Sequence, residues 1–173
     1  MKFLHIIVFS FLISLAAFSC AENVTDNSSL ATIADPQNVK ILYKYSFNNE
    51  LNTFAQKLTK DLVLDGTITV DFWLTDSEQM RILEMADQIG FFDMPDSLSY
   101  KKTDPKTIYI TPILGVQSLK IKFGNKEKEI FWNLPNSFPQ EYAKLQKLTS
   151  LIEKIIKSKK EFKDLPAARG RYC

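Results

Sequence analysis

Histidine occurs once in this chain, at position 5, inside an N-terminal apolar run. With that run removed as a leader, no imidazole remains to act as base, proton shuttle or metal ligand. Ser-His-Asp and Cys-His catalysis within one chain are therefore not expected. Cysteine adds little, because the two residues, Cys20 and Cys173, lie near opposite ends and make no Cys-x-x-Cys pair or disulfide framework. Five glycines leave little material for a phosphate cradle, and neither a Gly-x-Ser-x-Gly elbow nor a His-Glu-x-x-His element is present. No cofactor and no metal are expected.

Carboxylates remain, and they support acid–base work without histidine, as in glycosidases. Asp61, Asp65 and Asp71 fall on one expected hairpin. Asp65 is accounted for by the Asp65-Gly66 turn, and Asp71 alternates with Val70 and Phe72, which puts it on a solvated face. Asp61 stands out. It closes the polar group Thr59-Lys60-Asp61 between Leu58 and Leu62-Val63, and a buried charge is costly unless paired. Thr59, Lys60 and Asp61 are candidate ligand-binding residues, set against the plainer reading of an ion pair at a strand edge. A Ser–Lys nucleophile is the other arrangement still allowed, but lysine is too common here to single one out.

The elements that must position these residues are legible as periodicities. Val39, Ile41, Tyr43, Tyr45 and Phe47 alternate as one face of a strand, and Asn48-Asn49 signals a turn. Lys57–Leu64 and Thr67–Leu74 flank Asp65-Gly66 as a hairpin. Thr75 and Glu78 have the spacing of a capping box, and Ile82, Met85, Ala86 and Ile89 follow at helical spacing up to Gly90. Phe91-Phe92 reads as a plug under the core. A polar loop with Asp104-Pro105 precedes a strand at Ile108–Thr111. Leu119, Ile121 and Phe123 alternate up to a Gly124-Asn125 turn, and Glu129–Trp132 returns. Ser137-Phe138-Pro139-Gln140 opens a last helix, striped by Leu145, Leu148, Ile152, Ile155 and Ile156 and ending in Lys157, Lys159, Lys160 and Lys163. That basic end suits the helix dipole, with contact to anionic lipid as the alternative. The pattern predicts an α+β fold: an antiparallel sheet of about five or six strands with two helices packed on one face.

The N-terminus predicts export. Lys2 precedes an apolar run from Phe3 to Phe18, shorter than the about 20 residues that span a bilayer. Ala17-Phe18-Ser19-Cys20 has the outline of a bacterial lipobox, with Ala17 and Phe18 departing from its usual residues. Cleavage after Ala21 is the competing reading, and it discards Cys20. Residues after Cys20 are polar and lack aromatics, as a tether would. Expected organisation is therefore a signal peptide over 1–19, a lipidated Cys20 with a flexible tether over 20–37, and one domain over 38–173. The net charge of +2 is mixed along the chain, so nucleic acid is not an expected partner.

Several short motifs point the same way. Asn49-Glu50-Leu51-Asn52-Thr53-Phe54, Thr59-Lys60-Asp61-Leu62-Val63, Leu74 to Glu78, Phe91-Phe92-x-x-Pro-Asp and Lys163-x-Leu165-Pro166…Gly170-x-Tyr172 resemble a family of uncharacterised small bacterial exported proteins and lipoproteins. That family's ending has a second glycine where Arg171 stands here. The resemblance implies an envelope location and no reaction, and it adds Tyr172 to the candidate ligand-binding residues. Three functions follow as expectations. The first is a non-enzymatic binding module, anchored in membrane lipid through Cys20 and taking an envelope protein or a small ligand. The second is a carboxylate-dependent hydrolase of envelope glycans, and the third a structural envelope component. Location in the bacterial cell envelope is expected, with a secreted or periplasmic protein as the alternative.

Overall fold

The computed structural model describes residues 39–99, 116–133 and 140–172. Cys20 and the expected leader and tether lie outside these residues. So do the Asp104-Pro105 loop, the strand expected at Ile108–Thr111 and the helix start at Ser137–Pro139.

Seven strands form one sheet: β1 (Val39–Tyr45), β2 (Asn49–Asn52), β3 (Lys57–Asp61), β4 (Thr67–Asp71), β5 (Ser97–Ser99), β6 (Gln117–Phe123) and β7 (Lys126–Asn133). Their order is β4-β3-β2-β1-β6-β7-β5. Every pairing is antiparallel except β5 with β7. The fold is α+β, with seven strands rather than five or six, and the sheet is mixed rather than purely antiparallel.

Alternation gives the sheet two unlike faces. Val39, Ile41 and Tyr43 of β1 are buried, and across the ladders they meet Leu51, Leu119 and Ile121, which are fully buried too. Leu58 of β3 and Ile130 and Trp132 of β7 extend this apolar face. Helix α1 (Asp76–Gln88) adds Ile82, Leu83 and Ala86 to the same cluster. Helix α2 (Gln140–Ser158) adds Leu145, Leu148, Ile152, Ile155 and Ile156, the stripe its spacing predicts. Each such side chain contributes up to about 1.5–3 kcal/mol on leaving water. The opposite face carries Lys40, Lys44, Asn52, Lys57, Thr59, Lys120 and Lys122, and no described helix covers it.

Helix α1 starts as its sequence predicts. Thr75 Oγ1 accepts from the Glu78 amide at 3.3 Å, and Glu78 Oε2 accepts from the Thr75 amide at 2.8 Å. Gly90, at φ 68°, takes the left-handed position that ends the helix. Lys159, between α2 and the short α3 (Lys160–Lys163), pairs with Glu78 at 2.6 Å, tying the start of α1 to the end of α2. Lys157 pairs with Glu153 and Lys160 with Asp164. Much of the basic cluster is thus engaged within the protein, by side chains as well as by the helix dipole.

Three departures from the expected pattern have local causes. β1 ends at Tyr45, because Ser46 (φ 45°) and Phe47 (φ 63°) turn left-handed, and Phe47 leaves the core face. Asn49 then begins β2 instead of completing a turn. The β3–β4 hairpin does not turn at Asp65-Gly66 alone: pairing stops at Asp61↔Thr67, and a bond from the Leu62 amide to Gly66 O (2.8 Å) closes a longer loop. Finally, Ser97–Ser99 forms β5, a strand that the sequence pattern does not predict. Leu98 is buried at the sheet edge, and the Phe131 amide bonds Asp96 O at 2.9 Å beside it.

Candidate functional site

Strand β3 decides where the candidate residues go. Thr59 lies across from Glu50 and Thr69 on the open face, and Asp61 lies across from Thr67 on that same face. Lys60, between them, falls on the helix side. There its ammonium sits 4.8 Å from the Phe162 ring centroid and donates to Pro166 O at 2.7 Å. Strand alternation therefore splits the expected Thr59-Lys60-Asp61 group, and the three do not converge on one point. Thr59 Oγ1 instead lies 2.8 Å from Thr69 Oγ1.

Asp61 and Tyr172 do meet, although 111 residues separate them. Asp61 is only 6 % exposed. Its Oδ2 accepts from Tyr172 Oη at 2.6 Å and from Asn48 Nδ2 at 3.3 Å, and its Oδ1 accepts from the Val63 amide at 2.9 Å. Its own amide donates to Asn49 Oδ1 at 3.0 Å. Burial works to raise the pKa of this carboxyl, but the bonds from Tyr172, Val63 and Asn48 outweigh it and hold the group below the usual carboxylate range. The Tyr172 hydroxyl moves the opposite way, its pKa raised by the bond to Asp61, then by desolvation and by the carboxylate charge. Both rings at this point are also engaged, with Tyr172 stacked on Phe47 at 3.7 Å between centroids.

The rest of the C-terminal tail is bound along the same loop. Arg169 exchanges backbone bonds with Leu62 O (3.2 Å) and the Leu64 amide (3.3 Å), and its guanidinium holds Asp65 through both oxygens. Gly170, at φ 85°, lies so close to Leu64 that a Cβ there would sit 2.9 Å from Leu64 Cγ. The tail thus passes from Pro166 on the helix side, around the β3–β4 loop, to Tyr172 on the open face. Phe47 (φ 63°) and the β-branched Val63 (φ 64°) are both left-handed where they meet it. Such conformations cost roughly 1–2 kcal/mol per residue, and here the contacts with the tail and with Asp61 hold them.

Beside this latch, on the open face, lies a hollow of about 410 Å³ lined by Lys44, Phe47, Asn48, Asn49, Glu50 and Thr59, among others. Lys44 and Glu50 face each other at 3.9 Å. A second hollow of about 340 Å³ opens on the helix side, between Tyr45, Ser46 and Gln117 and the Glu153 and Lys157 side chains of α2. There Tyr43 Oη donates to Glu153 Oε1 at 3.1 Å, and Tyr43 and Tyr45 stack at 4.7 Å. Desolvation, then the Glu153 charge, pushes both phenols well above the ordinary tyrosine range. Phe47, Asn48, Asn49 and Glu153 were not among the expected site residues. The paired asparagines read as turn formers in the sequence, and Glu153 as one more polar residue on the wet side of a striped helix.

Four described carboxylates have clearly shifted pKa values, Asp61, Asp65, Glu78 and Glu127, and all four shift downward. A glycosidase-type general acid needs the opposite shift. Among the described residues no three His, Cys, Asp or Glu side chains gather as a metal site, and no helix is long and apolar enough to cross a membrane. In comparisons with known proteins, the chain matches no family model, no curated protein and no solved structure.

Proposed function

We propose that this protein is a lipid-anchored binding module of the bacterial envelope, held at the membrane through Cys20 and not an enzyme. The observation that carries the binding reading is the polar face of the sheet, which no described helix covers, and its hollow beside the latch. Two amides, two hydroxyl-bearing threonines at its edge, a facing Lys–Glu pair and the Phe47 ring line one open concavity. Such a lining suits a small neutral ligand rich in hydroxyls, such as a sugar unit of an envelope glycan, because donors, acceptors and an apolar ring alternate around it. Asp61, the acid that stands out in the sequence, supports binding over hydrolysis. Its oxygens already accept from Tyr172, Asn48 and Val63, and it stays ionised.

The test is a titration of the purified protein with solubilised envelope glycan fragments, following backbone amide NMR shifts and the fragments' masses together. Binding predicts shifts concentrated at Lys44, Phe47 to Glu50 and Thr59, with fragment masses unchanged. Cleaved fragments would establish the hydrolase instead. Scattered or absent shifts would remove the hollow as the glycan site.

A further inference from the structure

The end of the sheet away from the latch has a different surface. Trp73 (52 % exposed) and Phe54 (45 % exposed) are the two most exposed aromatic side chains among the described residues. Phe54 stands in the turn between β2 and β3, and Trp73 just after β4. The Phe72 amide joins these segments by a 2.9 Å bond to Gln56 O. A small recess lined by Val39, Lys40, Thr53, Gln56 and Trp73 shows that this turn, Trp73 and the start of β1 are neighbours. Lys40 pairs across the ladder with Lys122, and Val39 with Phe123, so the β6–β7 turn reaches the same end. Exposed aromatics, the half-buried Lys40 and the exposed Lys122, which also lies 3.8 Å from Glu127, thus gather where the chain enters the domain.

That entry point supplies the occupant. Cys20 precedes Val39 by 18 intervening residues, which reach at most roughly 65 Å even when fully extended. A domain tied this closely to a bilayer meets it at high effective concentration, so a contact too weak to hold a free protein suffices. Tryptophan and phenylalanine flanked by lysine are the side chains that settle at a lipid–water boundary, rings among the headgroups and ammonium groups toward phosphate. We infer that the sheet end carrying Phe54 and Trp73 rests on the anionic surface of the membrane that anchors Cys20. This inference rests on the anchored reading of Cys20. It orients the domain with the latch and the polar hollow facing away from the bilayer, since β1 runs from Val39 at the membrane end to Lys44, which lines that hollow.

The chain's tryptophan content makes the test direct. Only two are present, Trp73 and the buried Trp132, which is 4 % exposed. Full-length protein in phosphatidylglycerol-containing vesicles is examined by intact mass at Cys20. Its tryptophan emission is compared with and without brominated lipid, alongside the Trp73→Phe and Phe54→Asp variants. Expected are a lipid mass on Cys20, blue-shifted emission quenched by brominated lipid, loss of the quenched component in Trp73→Phe, and weaker quenching in Phe54→Asp. A lipidated protein whose Trp73 emits as in water and is not quenched overturns the orientation and leaves the anchor standing. An unmodified Cys20 overturns both.

Discussion

Asp61 and Asp71 lie at the two ends of the β3–β4 ladder, on the same face of the sheet, and have opposite fates. Asp71 pairs with Lys57 at 2.5 Å, but both side chains are about half exposed or more, so water and salt compete for the contact. Among the described residues no cation pairs with Asp61. It is covered by Tyr172 and Asn48, and its described contacts are hydrogen bonds. The difference lies in cover: the C-terminal tail turns one surface carboxylate into a buried acceptor. A charge that reads in the sequence as a candidate ligand-binding group is here what fixes the tail.

Four substitutions or conditions sharpen that contrast. The largest effect is expected for Asp61→Ala, which leaves the Tyr172, Asn48 and Val63 donors without their acceptor. It should lower stability by about 2–3 kcal/mol, read as a lower urea midpoint with little change in slope. Next is the acid limb of the stability curve. The pKa of Asp61 is lowered in the folded state, so its contribution is complete above the unfolded value of about 3.9 and is lost as pH falls through the folded value. Asp61→Asn should flatten that limb, while the part due to Glu78, also lowered, persists. Gly170→Ala should act on the tail without touching Asp61 or Tyr172, because an L-residue is strained at φ 85° and its Cβ presses on Leu64. Limited proteolysis should then release the last residues faster than in the wild type. Smallest is Asp71→Ala, expected to change stability by at most about 1 kcal/mol and less at high salt. An Asp71→Ala loss equal to that of Asp61→Ala would erase the contrast.

At alkaline pH a different set of groups reports. Tyr43, Tyr45, Tyr142 and Tyr172 all have raised pKa values, so their protonated forms favour the fold below the unfolded value of about 10. That stabilisation is lost as pH rises through the folded values. Tyr43 and Tyr45 answer to burial first and then to Glu153, and Tyr172 to Asp61. The acid limb therefore reports the latch, the α1 cap and the Lys120–Glu127 pair, and the alkaline limb the wall of the second hollow together with the Tyr172 end of the latch.

Elements with strong local signals were legible in the sequence. The Thr75/Glu78 box, the stripe from Leu145 to Ile156 and the alternation of Leu119, Ile121 and Phe123 each specify their own element. What escaped depends on partners far along the chain. β2 has one apolar residue, Leu51, and becomes a strand because β1 and β3 flank it. β5 is three residues held by a parallel neighbour and by burial of Leu98. Phe47 continues the alternation of β1 on paper, but the turn aims it at Tyr172, a contact no local period encodes. The Asp61 position was legible as a charge among apolar neighbours, and its contact with Tyr172 was not. Thr59 and Lys60 look like partners of Asp61 only until alternation along β3 separates Lys60 from the other two.

The most direct test is hydrogen exchange at the Arg169 amide, which donates to Leu62 O only while the tail is latched. At neutral pH the account predicts protection of Arg169 and of Val63 in the wild type. Both should be lost in Asp61→Ala, while the β6–β7 ladder stays protected. Exchange of the wild-type Arg169 amide at the rate of an unstructured chain would contradict the latch.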